Sequence, residues 1–169
     1  MSWPNKNFMA SLSNISEDET RQTFKKKGIR VSFLVPTQTG LQKSIMDATK
    51  DIRVYLKSAG LHDYEKQHKG TNNKSFLETK LIVGNHVIKT KTSLYRPETK
   101  DGDPRIWIYQ LSNYAKAGDL LALISTGQTL TIINCSKTDL SILPNDFSNE
   151  FNVLLPADPV SYTHLRAHE

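Results

Sequence analysis

With one cysteine, Cys135, in 169 residues, the chain can form no internal disulfide and offers no thiolate set to a metal. That usage fits a reducing cytoplasm. Long hydrophobic runs are also missing: the longest, residues 120–124, falls far short of the roughly 20 apolar residues a membrane span needs. Residues 1–13 carry a single lysine and no apolar block, so no secretory pattern is read there. Acid is scarce in one region only. Residues 21–105 hold 18 Lys and Arg against 8 Asp and Glu, whereas both flanks are net acidic and bring the whole chain to +5. A segment so basic attracts polyanions, because each phosphate neutralised releases a condensed counterion. A lysine-rich surface that only keeps a protein soluble has the same composition. The charge therefore sets a nucleic-acid partner beside a bland alternative.

An apolar content of 37% with 23% charged residues suits a soluble globular domain. The last ten residues, 160–169, resemble the in-frame translation of a transposon-type sequencing adaptor and are set apart from fold reasoning. Without them about 159 residues remain, the size of one ordinary domain, and the natural chain is expected to continue past Pro159. The expected organisation is an N-terminal helical arm over 1–28, an α+β DNA-binding domain over 29–143, and a proline-bearing covering segment or linker over 144–159.

Ser16-Glu-Asp-Glu19 has the form of a capping box and Gly28 that of a stop, which predicts a helix over 17–27 with acids first and lysines last. Residues 29–35 read as a strand that Pro36 ends. Thr39 with Gln42 offers a second capping box, and Leu41, Ile45, Ala48, Ile52, Tyr55 and Leu56 recur at helical spacing. They predict one long core helix over 40–59, stopped by Gly60. Strands follow over 76–83 and 86–94, joined at Gly84-Asn85, then over 105–109, 119–125 and 129–134, with helical turns near 111–117. Short connections make the sheet mainly antiparallel. The expected fold is α+β: a curved sheet or partial barrel packed on one long helix.

Two constellations bear on chemistry. In Arg105-Ile-Trp-Ile-Tyr109, strand alternation puts Ile106 and Ile108 on one face and Arg105, Trp107 and Tyr109 on the other. Arginine beside aromatics suits a nucleic-acid contact, with Arg96 and Lys100 in the preceding loop able to join it. The alternative is that a helix covers Trp107 and Tyr109 while Arg105 pairs with Asp103. Glu78-Thr-Lys80, on one face of a strand, with Asp63 upstream, has the layout of PD-(D/E)xK nucleases, in which two carboxylates hold a divalent ion and lysine helps activate water. A second Glu-x-Lys, Glu98-Thr-Lys100, stands in a loop, and Asp63 lacks the usual preceding proline. Gly40-Leu-Gln-Lys43-Ser44 lacks the first glycine and the Gly-Lys step of a phosphate loop. His62, His68 and His86 lack zinc-ligand spacing, and Cys135 is expected to be buried at a strand end.

The stretches Phe33-Leu-Val-Pro-Thr-Gln-Thr-Gly-Leu-Gln-Lys-Ser-Ile-Met-Asp-Ala-Thr49 and 93–109, continued by Gly118-Asp-Leu-Leu-Ala-Leu123, resemble segments of bacterial restriction-modification proteins. The resemblance covers residues 30–125 and is to regions accompanying type II restriction endonucleases of the MvaI/BcnI or EcoRII type. It implies a DNA-reading module joined to a PD-(D/E)xK nuclease domain, which here would lie past residue 159. It does not identify which residues read bases. The expected partner is double-stranded DNA, with Arg105, Trp107, Arg96 and Lys100 as principal contacts and Lys43 and Lys50 on the long helix as phosphate contacts. A second reading makes this chain a Mg²⁺-dependent nuclease, with Asp63 and Glu78 as metal ligands and Lys80 beside them. A third is a structural or protein-binding domain. A nuclease needs Asp63 and Glu78 to converge, a reader needs Arg105 and Arg96 on an exposed positive face, and a structural domain buries Trp107.

Overall fold

A computed structural model describes residues 16–143. Residues 1–15 of the expected arm, the covering segment 144–159 and the adaptor-like residues 160–169 lie outside the described residues. Helix α1 (Glu17–Lys26) starts where the sequence predicts: Ser16 Oγ accepts from the Glu19 amide at 3.0 Å, and Glu17, Asp18 and Glu19 lie at the positive end of the helix dipole. Gly28 follows at φ +73°, a conformation that costs glycine little.

The long helix over 40–59 does not form as one piece. It divides into α2 (Gln38–Lys43), a two-residue strand β2 (Met46–Asp47) and α3 (Lys50–Ser58). The break has local causes. Thr37, not Thr39, caps α2 by accepting from the Gly40 amide at 2.9 Å, and Ser44 ends it in the left-handed region at φ 57°. Thr49 then caps a new helix by accepting from the Ile52 amide at 3.3 Å. Between the caps Met46 and Asp47 pair with a strand, so ladder hydrogen bonds replace the helical ones. Ile52, Tyr55 and Leu56 still form a buried stripe on α3, and Gly60 follows it at φ +74°.

Seven strands make one sheet: β1 (Ser32–Leu34), β2, β3 (Ser75–Val83), β4 (His86–Tyr95), β5 (Arg105–Ile108), β6 (Leu121–Thr126) and β7 (Thr129–Asn134), in the order β1-β6-β7-β3-β4-β5-β2. Among the described residues β3 with β7 is the parallel pair and the other pairings are antiparallel. The sheet curls into a half-barrel, as the α+β reading expects. Two apolar clusters hold it. Inside the curl, Leu34, Leu81, Leu94, Ile106, Leu123 and Ile132 meet Ile52 and Leu56 of α3. Outside, Phe24 of α1 packs with Phe33, Ile82, Ala122 and Ile133. Cys135 sits in this outer cluster just after β7, and burial pushes its thiol up to about 12. No described helix is long and apolar enough to cross a membrane.

Candidate nucleic-acid interface

Because β3, β4 and β5 pair without a bulge, side chains directly opposite one another line up in rows. On the outer face one row is Phe76, Ser93 and Trp107. The next is Glu78 and Lys91, continued by Tyr109. Lys80 and Lys89 form a further row, and Tyr95, Arg105 and Asp47 the row at the opposite end. Phe76 is 48% exposed, unusual for so large an apolar side chain. Its ring meets that of Tyr109 edge to face at 6.3 Å. The Lys91 ammonium stands over both rings, 4.6 Å from Phe76 and 4.7 Å from Tyr109, and Lys74 stands 4.9 Å over Tyr95.

The residues chosen from sequence fall elsewhere. Trp107 is not an exposed contact. Ile106, Trp107 and Ile108 are consecutively buried, so both faces of β5 are covered there and alternation fails as a guide to exposure. Trp107, though on the outer side of β5, is covered and belongs to the same buried cluster as Tyr64 and Leu111. Arg105 is mostly buried and pairs with Asp47 across the β2–β5 ladder, not with Asp103. Arg96 is engaged internally: its Nε donates to the Gly102 carbonyl at 2.9 Å and its Nη1 to the Gln67 carbonyl at 3.3 Å. Lys100 opens a 3₁₀ turn, Lys100–Gly102.

Two grooves collect the remaining candidates. The larger, about 950 Å³, opens between the two edge strands and takes in both Lys43 and Arg105. There Arg21, Lys43 and Arg105 face Glu17, Asp47 and Asp51, which balances the charge. The smaller, about 650 Å³, takes in Lys50, Arg96 and Asp63, with Arg53 and Lys57 opposed by Glu65 and Asp103. Asp63 is used locally: its Oδ1 accepts from the Glu65 amide at 3.0 Å and its Oδ2 lies 3.8 Å from Lys57 Nζ. Glu78 and Lys80 stand on the outer face of β3, and neither groove takes them in. No cluster of three or more His, Cys, Asp or Glu groups that could hold a metal occurs among the described residues.

Beside Asp63, the His62 ring meets Tyr64 edge to face at 4.4 Å, and its Nε2 lies 3.0 Å from Gln67 Oε1. Gln67 gives its amide nitrogen to the carbonyls of Asn73 and Leu94, so its oxygen faces His62 and Nε2 carries the proton. Burial holds the imidazole below its ordinary value, although the Gln67 hydrogen bond and the Asp63 charge act upward. The unfolded chain then takes up the proton first. Stability is present above pH ~6.5 and is lost as pH falls through the lower folded value. The midpoint of thermal unfolding is expected to drop between pH 7.5 and pH 5 in the wild type and to drop less in His62→Gln. Equal drops would remove His62 from the account.

The outer-face set of Lys74, Phe76, Lys91 and Tyr109 was missed by the sequence reading, although one signal was available. Phe76-x-Glu78-x-Lys80 and Lys89-x-Lys91 alternate along two strands predicted to form a hairpin, so they had to share a face, while Lys74 falls in the loop predicted just before them. No protein-family model, no curated protein and no solved structure matches the chain.

Proposed function

We propose that this chain is a DNA-binding module of the kind that accompanies type II restriction endonucleases and works in the cytoplasm. The observation that carries the reading is the outer face of β3 and β4, where Lys74 and Lys91 stand over aromatic rings and share one surface with Lys80, Lys89 and, among the described residues of these strands, the carboxylate Glu78. Both grooves, by contrast, nearly balance their charges. A lysine-rich face meets phosphates, and contacts to the backbone supply most non-specific affinity. The resemblance of residues 30–125 to restriction-modification proteins agrees with that chemistry. DNA is the partner, held first through its phosphates.

The test is a binding titration of the whole chain on random duplex DNA across a range of salt, with Mg²⁺ and then with EDTA. Binding is expected to weaken steeply with salt and to leave the DNA uncut. The double variant Lys74→Glu, Lys91→Glu should weaken binding alike on all sequences and flatten the slope of log K against log salt by about 2. Cutting that requires Mg²⁺ would move the chemistry to Asp63, Glu78 and Lys80. No binding at low salt would sink the duplex-reading module.

A further inference from the structure

Phosphate attraction explains the lysines of this face but not Phe76. Its ring is packed only in part, against Tyr109 and Lys91, and the half left in water forgoes favourable burial. A closed duplex can offer the ring a groove edge or a thymine methyl but not a base face, because its bases are stacked on one another. Single-stranded nucleic acid differs, since its bases present faces that stack on aromatic side chains whatever their sequence. Phe76, Tyr109 and Lys91 give that partner what it needs in one place: an open ring, a second ring 6.3 Å away to steady it, and a cation 4.6–4.7 Å from both. Lys74 over Tyr95 repeats the pairing of ammonium and ring near the start of β3. Beneath the set, Thr79 of β3 and Thr92 of β4 share a buried hydrogen bond of 2.7 Å that ties the two strands.

We infer that Phe76 and Tyr109 form a stacking platform for an unpaired base, with Lys91 moving from the rings to the adjoining phosphate, so that the module prefers single-stranded DNA or an unpaired stretch to closed duplex. The inference rests on the DNA-binding reading and names the form of the ligand. A base covering Phe76 would bury the ring, and the ammonium would exchange a cation–π contact for a charge-assisted phosphate contact of greater strength.

The experiment compares a labelled oligo-deoxythymidine strand with a mixed-sequence duplex of equal length, both titrated with the whole chain at one salt concentration. Tighter binding of the strand is expected, with Phe76→Ala weakening it on the order of ten- to hundred-fold and Phe76→Tyr restoring it. Lys91→Gln should lower the salt dependence on the strand by about one phosphate contact. Unchanged thermal midpoints in these exposed-site variants separate a lost contact from a lost fold. If duplex binds as well as strand and Phe76→Ala matches wild type on both, the platform is overturned while the DNA reading stands. If neither probe binds, the DNA reading itself fails and takes the platform with it.

Discussion

Trp107→Ala is expected to destabilise the fold by about 3–5 kcal/mol, the usual cost of truncating a large buried aromatic. The residue is 9% exposed in the middle of a buried run on β5 and belongs to the larger buried cluster, which also holds Tyr64, Ile106 and Leu111. Tyr64 adds to the loss because it is fixed to the same strand, its hydroxyl donating to the Arg105 carbonyl at 2.8 Å. Burial pushes the Tyr64 phenol well above its ordinary value, so it stays a neutral donor. A void under β5 would loosen that anchor. Urea denaturation followed by circular dichroism measures the effect, and Trp107→Phe, which keeps a ring, should cost markedly less. A Trp107→Ala variant that unfolds at the wild-type midpoint yet no longer binds DNA would return Trp107 to the contact surface.

How far the sequence reaches differs from element to element. Helix α1 was legible because its cap, its acidic first turn, its basic last turn and its glycine stop all agree. The β3–β4 hairpin was legible to within a residue, since Gly84 supplies the positive φ its two-residue turn requires. The helix over 40–59 was misread because its apolar residues keep helical spacing through β2, a stretch too short for periodicity to reveal. What decides there is Thr49, whose cap begins a helix in the middle of the expected one. The ladder to β5 is a contact between residues some sixty positions apart, which no local pattern records.

The candidate site was less legible for a related reason. Alternation says which side chains share a face, not which face is covered. On β5 it grouped Arg105, Trp107 and Tyr109 correctly by side, but the curl and the neighbouring segments bury Trp107 and pair Arg105 with Asp47. Arg96 looked like a loop cation and is a clamp for backbone carbonyls. Exposure belongs to tertiary structure, so Phe76, an ordinary core-facing residue by type, stands out only once the sheet is built.

Asp119→Ala is expected to cost about 2–4 kcal/mol, because it leaves buried donors without their acceptor. The carboxylate is 5% exposed, and its Oδ2 accepts from the Lys116 amide at 2.9 Å and from Asn134 Nδ2 at 3.0 Å, with Lys137 Nζ at 3.4 Å. Asn134 in turn donates to the Tyr114 carbonyl and accepts from the Ser136 amide, while the Ser136 hydroxyl accepts from the Leu120 amide. One oxygen thus ties the turn before β6 to the end of β7. An asparagine at 119 keeps an oxygen for the two amides and loses only the charge opposite Lys137, so Asp119→Asn should fall between wild type and alanine in urea midpoint. Alanine within about 0.5 kcal/mol of wild type would show that the network contributes no stability. The network sits at the end of β7 beyond its pairing with Thr79–Ile82, while Phe76 lies near the start of β3, so this loss acts on the interface only through the fraction unfolded. Well below the unfolding midpoint, Asp119→Ala should bind DNA as wild type does, whereas Phe76→Ala should fail to bind the single strand tightly while fully folded.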